Sequence, residues 1–379
     1  MRVASSRNTL GRGVKTPTNP VNFWSASVIE TTTATTTGAV TADLATLPKA
    51  ELHLHIEGTL EPELVFELAE RNHVSLPFES VEALRALHEF HDLQSFLNLY
   101  YDCMAVLQTR EDFEELGLAY LRRAARDGVR HAEIFFDPQA HTTRGVGIDD
   151  VIDGLQDAFR VAGTELGMTG GLILCILRDS PVDEALATIE SVAGRAGDLL
   201  GVGLDSAEVG YPPSLFVEVF DRARQLGLHV VAHAGEEGPA EYVWEALDLL
   251  KVERIDHGIR SLEDARLVDR LRASAIPLTV CPLSNIRLGA TTDMAAHPLP
   301  QMLEQGLVVT VNSDDPAYFG GYVDENFTQL RDTFGLTPSQ LAQLAQNSIT
   351  GSFASAERKQ ELLDDVQAWL AVARVGKEH

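Results

Sequence analysis

At 379 residues the chain can hold one large domain or two ordinary ones. Its 45% hydrophobic and 23% charged residues, with no run of about 18 apolar residues that could cross a bilayer, are those of a globular protein with no membrane partner. Thirty basic against 56 acidic side chains leave a net charge of -26, a field that repels phosphate backbones and argues against nucleic acid.

The chain opens on a stretch, 1–42, rich in Thr, Ser, Ala and Asn that includes Thr31-Thr32-Thr33-Ala34-Thr35-Thr36-Thr37. So few large apolar groups cannot offset the entropy of ordering, so a disordered tail is expected there, with a single domain over 43–379. Arg2, Arg7, Arg12 and Lys15 are not followed by an apolar segment, which argues against a secretory signal. Cys103, Cys175 and Cys281 are too sparse for a disulfide framework and point to a reducing compartment, here the cytoplasm.

From Leu47 onward, short β-rich runs alternate with helical stretches, the pattern of βα units around a parallel sheet. Eight runs can be read: 51–55, 131–136, 172–177, 202–205, 229–233, 254–257, 276–281 and 307–312. Several are apolar throughout, as expected of strands covered outside by helices. The fold class is therefore α/β, a (β/α)8 TIM barrel. The stretch 56–128 holds three helical patterns and no strand, and reads as a helical insertion over the barrel mouth after the first strand. Later, Phe216, Val219, Phe220 and Ala223 recur at helical spacing ahead of Gly227, and Ser261 and Asp264 are set to cap the helix carrying Leu267, Val268 and Leu271.

The chemistry-bearing residues sit at the ends of these runs. Alternation along a strand puts the imidazoles of His53-Leu54-His55 on one face. His233 closes the fifth run and Asp314 follows the eighth; in a (β/α)8 barrel, carboxyl ends of distant strands converge on one site. Three imidazoles and a carboxylate suit zinc better than iron or another divalent ion. Glu236, three residues beyond His233, is placed to carry protons near a metal, while Glu237 reads as a solvated loop charge. His257, at the end of the sixth run, is placed to orient an attacking water.

Jointly, His53-Leu54-His55-Ile56-Glu57-Gly58, His233-Ala234-Gly235-Glu236, Ile255-Asp256-His257-Gly258 and Val311-Asn312-Ser313-Asp314-Asp315-Pro316 resemble the adenosine/adenine deaminase branch of the amidohydrolase barrels. The resemblance runs over about residues 45–370, and the tail has no place in it. It implies one zinc per chain on His53, His55, His233 and Asp314, with Glu236 as proton donor to purine N1. His257 would aid attack, Asp314 would share in positioning the nucleophile, and Asp315 would pair with N7. Two departures from the adenosine-specific pattern stand out. Glu208 occupies the place of a Gly that faces ring N3, and Glu57 replaces an Asp that meets the ribose; with Pro212-Pro213 these look like members that act on the free base. What is implied is hydrolysis of adenine to hypoxanthine and ammonia in purine salvage, with Glu208 accepting a hydrogen bond at the N3/N9 edge and Glu57 also touching substrate. Adenosine or an N6-substituted adenine is the alternative substrate. A homo-oligomer is compatible with this pattern.

Three rivals remain to be weighed. Dinuclear amidohydrolases bridge their metals with a Lys after the fourth strand, and 203–210 contains none. A catalytically silent binding barrel would have little use for His53, His55, Glu236, His257 and Asp314 together. Deamination of a base within nucleic acid is opposed by the net charge.

Overall fold

The computed structural model describes residues 43–88, 90 and 93–375; the segment 1–42, with the disordered tail expected for it, lies outside the described residues. Eight parallel strands follow one another in sequence order around a single sheet: β1 (Lys49–Glu51), β2 (Val129–Phe136), β3 (Thr169–Leu177), β4 (Gly201–Asp205), β5 (His229–Ala234), β6 (Arg254–His257), β7 (Leu278–Val280) and β8 (Val309–Val311). The buried apolar core lies between this sheet and the helices outside it, which is the (β/α)8 barrel expected.

The first strand differs from expectation. β1 ends at Glu51, before either histidine, because the Leu52 amide donates to the Asn312 side chain (2.9 Å) instead of a neighbouring backbone carbonyl. The chain then pairs again by single bridges. Asp314 N–H donates to the His53 carbonyl (3.1 Å) and His55 N–H to the Asp314 carbonyl (3.0 Å), while Phe135 N–H donates to Leu54 (2.8 Å). The two bonds with Asp314 join the first and last strands and close the ring at the level where the histidines sit, and the Phe135 bond continues the pairing with β2.

Among its described residues the stretch 56–128 holds four α-helices: Pro62–Asn72, Val81–Arg85, Leu93–Met104 and Arg110–Arg126. The fourth starts with a capping box, Thr109 with Asp112, and packs along Ile148–Leu166, so it belongs to the barrel's outer wall. Leu93–Met104 reaches the mouth with Phe96, Leu97, Tyr100 and Tyr101. Further on, Phe216, Val219, Phe220 and Ala223 are all buried as their spacing required, and Gly227 follows their helix in the left-handed region (φ 81°). Asp264 caps its helix by accepting from Arg266 N–H, whereas Ser261 is buried in a preceding 3-10 turn. No helix among the described residues is long and apolar enough to cross a membrane.

Candidate active site

The carboxyl ends of β4, β5, β6 and β8 each turn through a left-handed residue: Ser206 (φ 68°), Gly235 (φ 75°), His257 (φ 62°) and Asp314 (φ 65°). Three of these are not glycine, and such a conformation costs on the order of 1–3 kcal/mol for a non-glycine residue, less for Asp and His. The strain serves a purpose visible in the geometry: it turns side chains from four strands into one pocket. His55, His233, Glu236, His257, Asp314 and Asp315 all line it.

His53, His55, His233 and Asp314 are buried, and one donor atom from each lies within 4.8 Å of the others. His53 Nδ1 is 3.2 Å from the Thr279 carbonyl and His233 Nδ1 is 3.0 Å from that of Leu204. A carbonyl only accepts, so both rings carry their proton on Nδ1 and present a lone pair at Nε2. His233 Nε2 then faces His55 Nε2 at 3.3 Å, and Asp314 Oδ1 lies 3.2 Å from His53 Nε2 and 3.5 Å from His55 Nε2. The buried His53 Nε2 has no hydrogen-bond partner. Burial, and after it the neighbouring His53, push the His233 pKa well down, which keeps that ring neutral. Converging lone pairs with an orphaned nitrogen fit a cation held between them.

Beside this cluster stands a chain of oriented hydrogen bonds. Leu299 N–H donates to His297 Nδ1 (3.2 Å), so His297 Nε2 carries the proton and donates to Asn285 Oδ1 (3.2 Å). That fixes the Asn285 amide, whose nitrogen donates to Glu236 Oε1 (2.8 Å) and His257 Nδ1 (3.2 Å). His257 therefore holds its own proton on Nε2, which lies 3.3 Å from Glu236 Oε2 and 3.7 Å from Asp314 Oδ2. Burial, followed by His53, drives the His257 pKa down to about 3, so the ring is neutral. Burial also raises the Glu236 pKa, with Asp314, Glu237 and Glu208 adding to it, which favours a protonated acid. Ser284 donates to Asp314 Oδ2 (2.6 Å) and holds that carboxylate in place.

The structure places Glu57 and Glu208 differently. Glu57 does not line the pocket; its Oε1 accepts from Asp137 N–H (3.0 Å) and from His141 Nε2 (2.8 Å), so it braces the loop after β2. Glu208 does line the pocket, and its carboxylate also accepts from four backbone N–H groups, those of Gly235 on Oε1 (2.6 Å) and of Glu236 (3.1 Å), Glu237 (3.0 Å) and Gly238 (2.8 Å) on Oε2. Three of the four bonds fall on Oε2 and one on Oε1, so Oε1 keeps one acceptor site on the pocket wall. Glu237, expected to be a solvated charge, is partly exposed at the pocket edge. Sequence reasoning missed Ser284, Asn285, Asp137 and Asp205. Ser284 and Asn285 follow β7 as the other site residues follow their strands, and that position was the available signal. Asp137 and Asp205 each keep a buried Oδ1 without a hydrogen-bond partner among the described residues, and burial raises both pKa values, that of Asp205 to about 7.

A parallel barrel with this donor set at its strand ends is the architecture of the amidohydrolase-type enzymes. A sequence model of the adenosine deaminase family matches residues 48–369, and the chain belongs to that family. Within it, the chain is 57% identical over 325 residues to the adenine deaminase of Streptomyces coelicolor, covering 85% of this chain and 96% of that one. It is 56% identical to the crystal structure of adenine deaminase from Arthrobacter aurescens, with a TM-score of 0.84 over 86% of this chain and 99% of the other. An amidohydrolase from Burkholderia ambifaria solved with bound zinc is 28% identical, with a TM-score of 0.81 over 91% and 97% of the two chains.

Proposed function

We propose that this chain hydrolyses adenine to hypoxanthine and ammonia in cytoplasmic purine salvage, with 43–379 as one catalytic domain and one zinc held by His53, His55, His233 and Asp314. The observation that carries the reading is the meeting of those four donors with Glu236 and His257 in one pocket. The two adenine deaminases at 57% and 56% identity support the substrate. The donor set and the zinc of the B. ambifaria enzyme support the metal.

When bound, the ion supplies Lewis acidity that lets water act as a nucleophile at neutral pH. The chain's own groups do the rest. Asp314, steadied by Ser284, and the His257 Nε2–H flank the attacking water at C6. Glu236, kept protonated, gives its proton to N1 as the ring becomes tetrahedral. The proton that the water gives up passes through Asp314 to the amino group, ammonia leaves, and the remaining hydroxyl proton returns to Glu236 as C6 becomes a carbonyl, so adenine and water become hypoxanthine and ammonia. Asp315, whose pKa burial and Asp314 raise, keeps a proton to donate to N7. Phe96, Leu97 and Tyr100 offer apolar surface to the purine faces.

Glu208 Oε1, with a single N–H partner, and the unpartnered Oδ1 atoms of Asp137 and Asp205 are acceptors on the wall within reach of a ring N–H. Free adenine offers one at N9 and adenosine does not. A site that must leave a buried acceptor unpaired rejects the poorer ligand strongly, by up to about ten-thousand-fold. The deciding experiment follows ammonia release and the ultraviolet shift on adenine, adenosine and an N6-alkyl adenine in parallel. Adenine should be turned over far faster than adenosine; equal efficiency on both would overturn the assignment of the free base.

A further inference from the structure

Resting on Glu236 as the proton donor, we infer that Glu208 is a positioning residue whose carboxylate clamps the loop carrying Glu236. The loop 235–238 turns four consecutive N–H groups towards one point, a nest that ordinarily binds an anion. Here the anion is internal: Glu208, from the segment after β4, is 3% exposed and fills it. Arg178 ties the same two segments from behind, donating from Nε to the Tyr211 carbonyl (2.9 Å) and from Nη1 to that of His233 (2.7 Å). Gly238 completes the fit, since a Cβ there would lie 2.5 Å from Glu208 Oε1. One of the four amides is that of Glu236 itself, so the clamp sets the backbone from which the proton donor projects.

Every partner of Glu208 is a donor, so an amide cannot replace the carboxylate: its NH2 would point at N–H groups. Glu208→Gln should therefore lower kcat about 10- to 100-fold on adenine, below the roughly hundred- to ten-thousand-fold worth of a general acid, and leave KM within about threefold. In a Glu236→Gln background the same change should alter kcat less than about threefold, because the residue acts through Glu236. Hydrogen exchange of the amides of 235–238 should quicken in Glu208→Gln with metal content unchanged, a readout that holds even if adenine is not the substrate. Should Glu208→Gln not fold, Gly238→Ala displaces the same carboxylate and is read in the same way. An unchanged kcat with a raised KM, an equal loss in the Glu236→Gln background, or unaltered exchange at 235–238 would each overturn the clamp. A native enzyme inert towards adenine would instead overturn the function proposed above.

Discussion

Glu236 and Asn285 show how much of this site rests on single hydrogen bonds. Glu236→Gln keeps the shape and the bond from Asn285 but cannot release a proton as an acid does. The variant should lose roughly 10²–10⁴ in kcat while retaining metal, measured by steady-state kinetics and metal analysis on one preparation. Asn285→Ala removes the donor shared by Glu236 and His257 and lets the His257 ring change tautomer. A loss of about tenfold or more in kcat is expected; full activity would show that neither group needs that amide. Glu236 was legible because it stands three residues beyond His233 at the same strand end. Asn285 was not, because its importance depends on the amide being fixed by His297, twelve residues on and across a turn. Glu208 was legible as a departure from a pattern, but which partner its oxygens meet is a matter of backbone geometry in another loop.

At the scale of elements, the junction of the first and last strands is the sensitive point. Gly58 lies so close to Asp315 that a Cβ would collide with that residue's side chain and Cα. Gly58→Ala should cost roughly 1–3 kcal/mol by overpacking and raise KM for adenine by moving Asp315, checked by urea unfolding and kinetics. Glu51 makes the same junction from β1, accepting from Ser313 N–H (3.1 Å), the Ser313 hydroxyl and the Tyr120 hydroxyl (2.7 Å). Burial raises its pKa from 4.5 to about 7. An acid with a raised folded pKa stabilises most below its unfolded pKa, and that contribution is lost as pH rises through the folded value. Glu51→Gln should thus gain stability relative to the native protein between pH 4.5 and 7, seen as a rising difference in urea midpoint. A flat difference would mean that Glu51 stays ionised.

For the whole molecule, the proposed metal should couple to the fold, since a ligand that binds only the folded state stabilises it by mass action. Stripping the metal should abolish ammonia release and lower Tm, and zinc should restore both; His233→Ala should resist restoration. A chain beginning at Asp43 should keep its Tm and turnover, because the family match starts at 48 and Asp43 itself caps the first turn. The sequence by itself determined the alternation of βα units, the order of the strands and the residue types that gather at the candidate metal site, because periodicity and strand-end position are local properties. Only the tertiary structure decided where β1 stops, that Glu57 braces a loop, and that Glu208 spends its charge on the nest at 235–238. Those outcomes depend on which donors a buried carboxylate meets first, and the donors come from strands far apart in the chain.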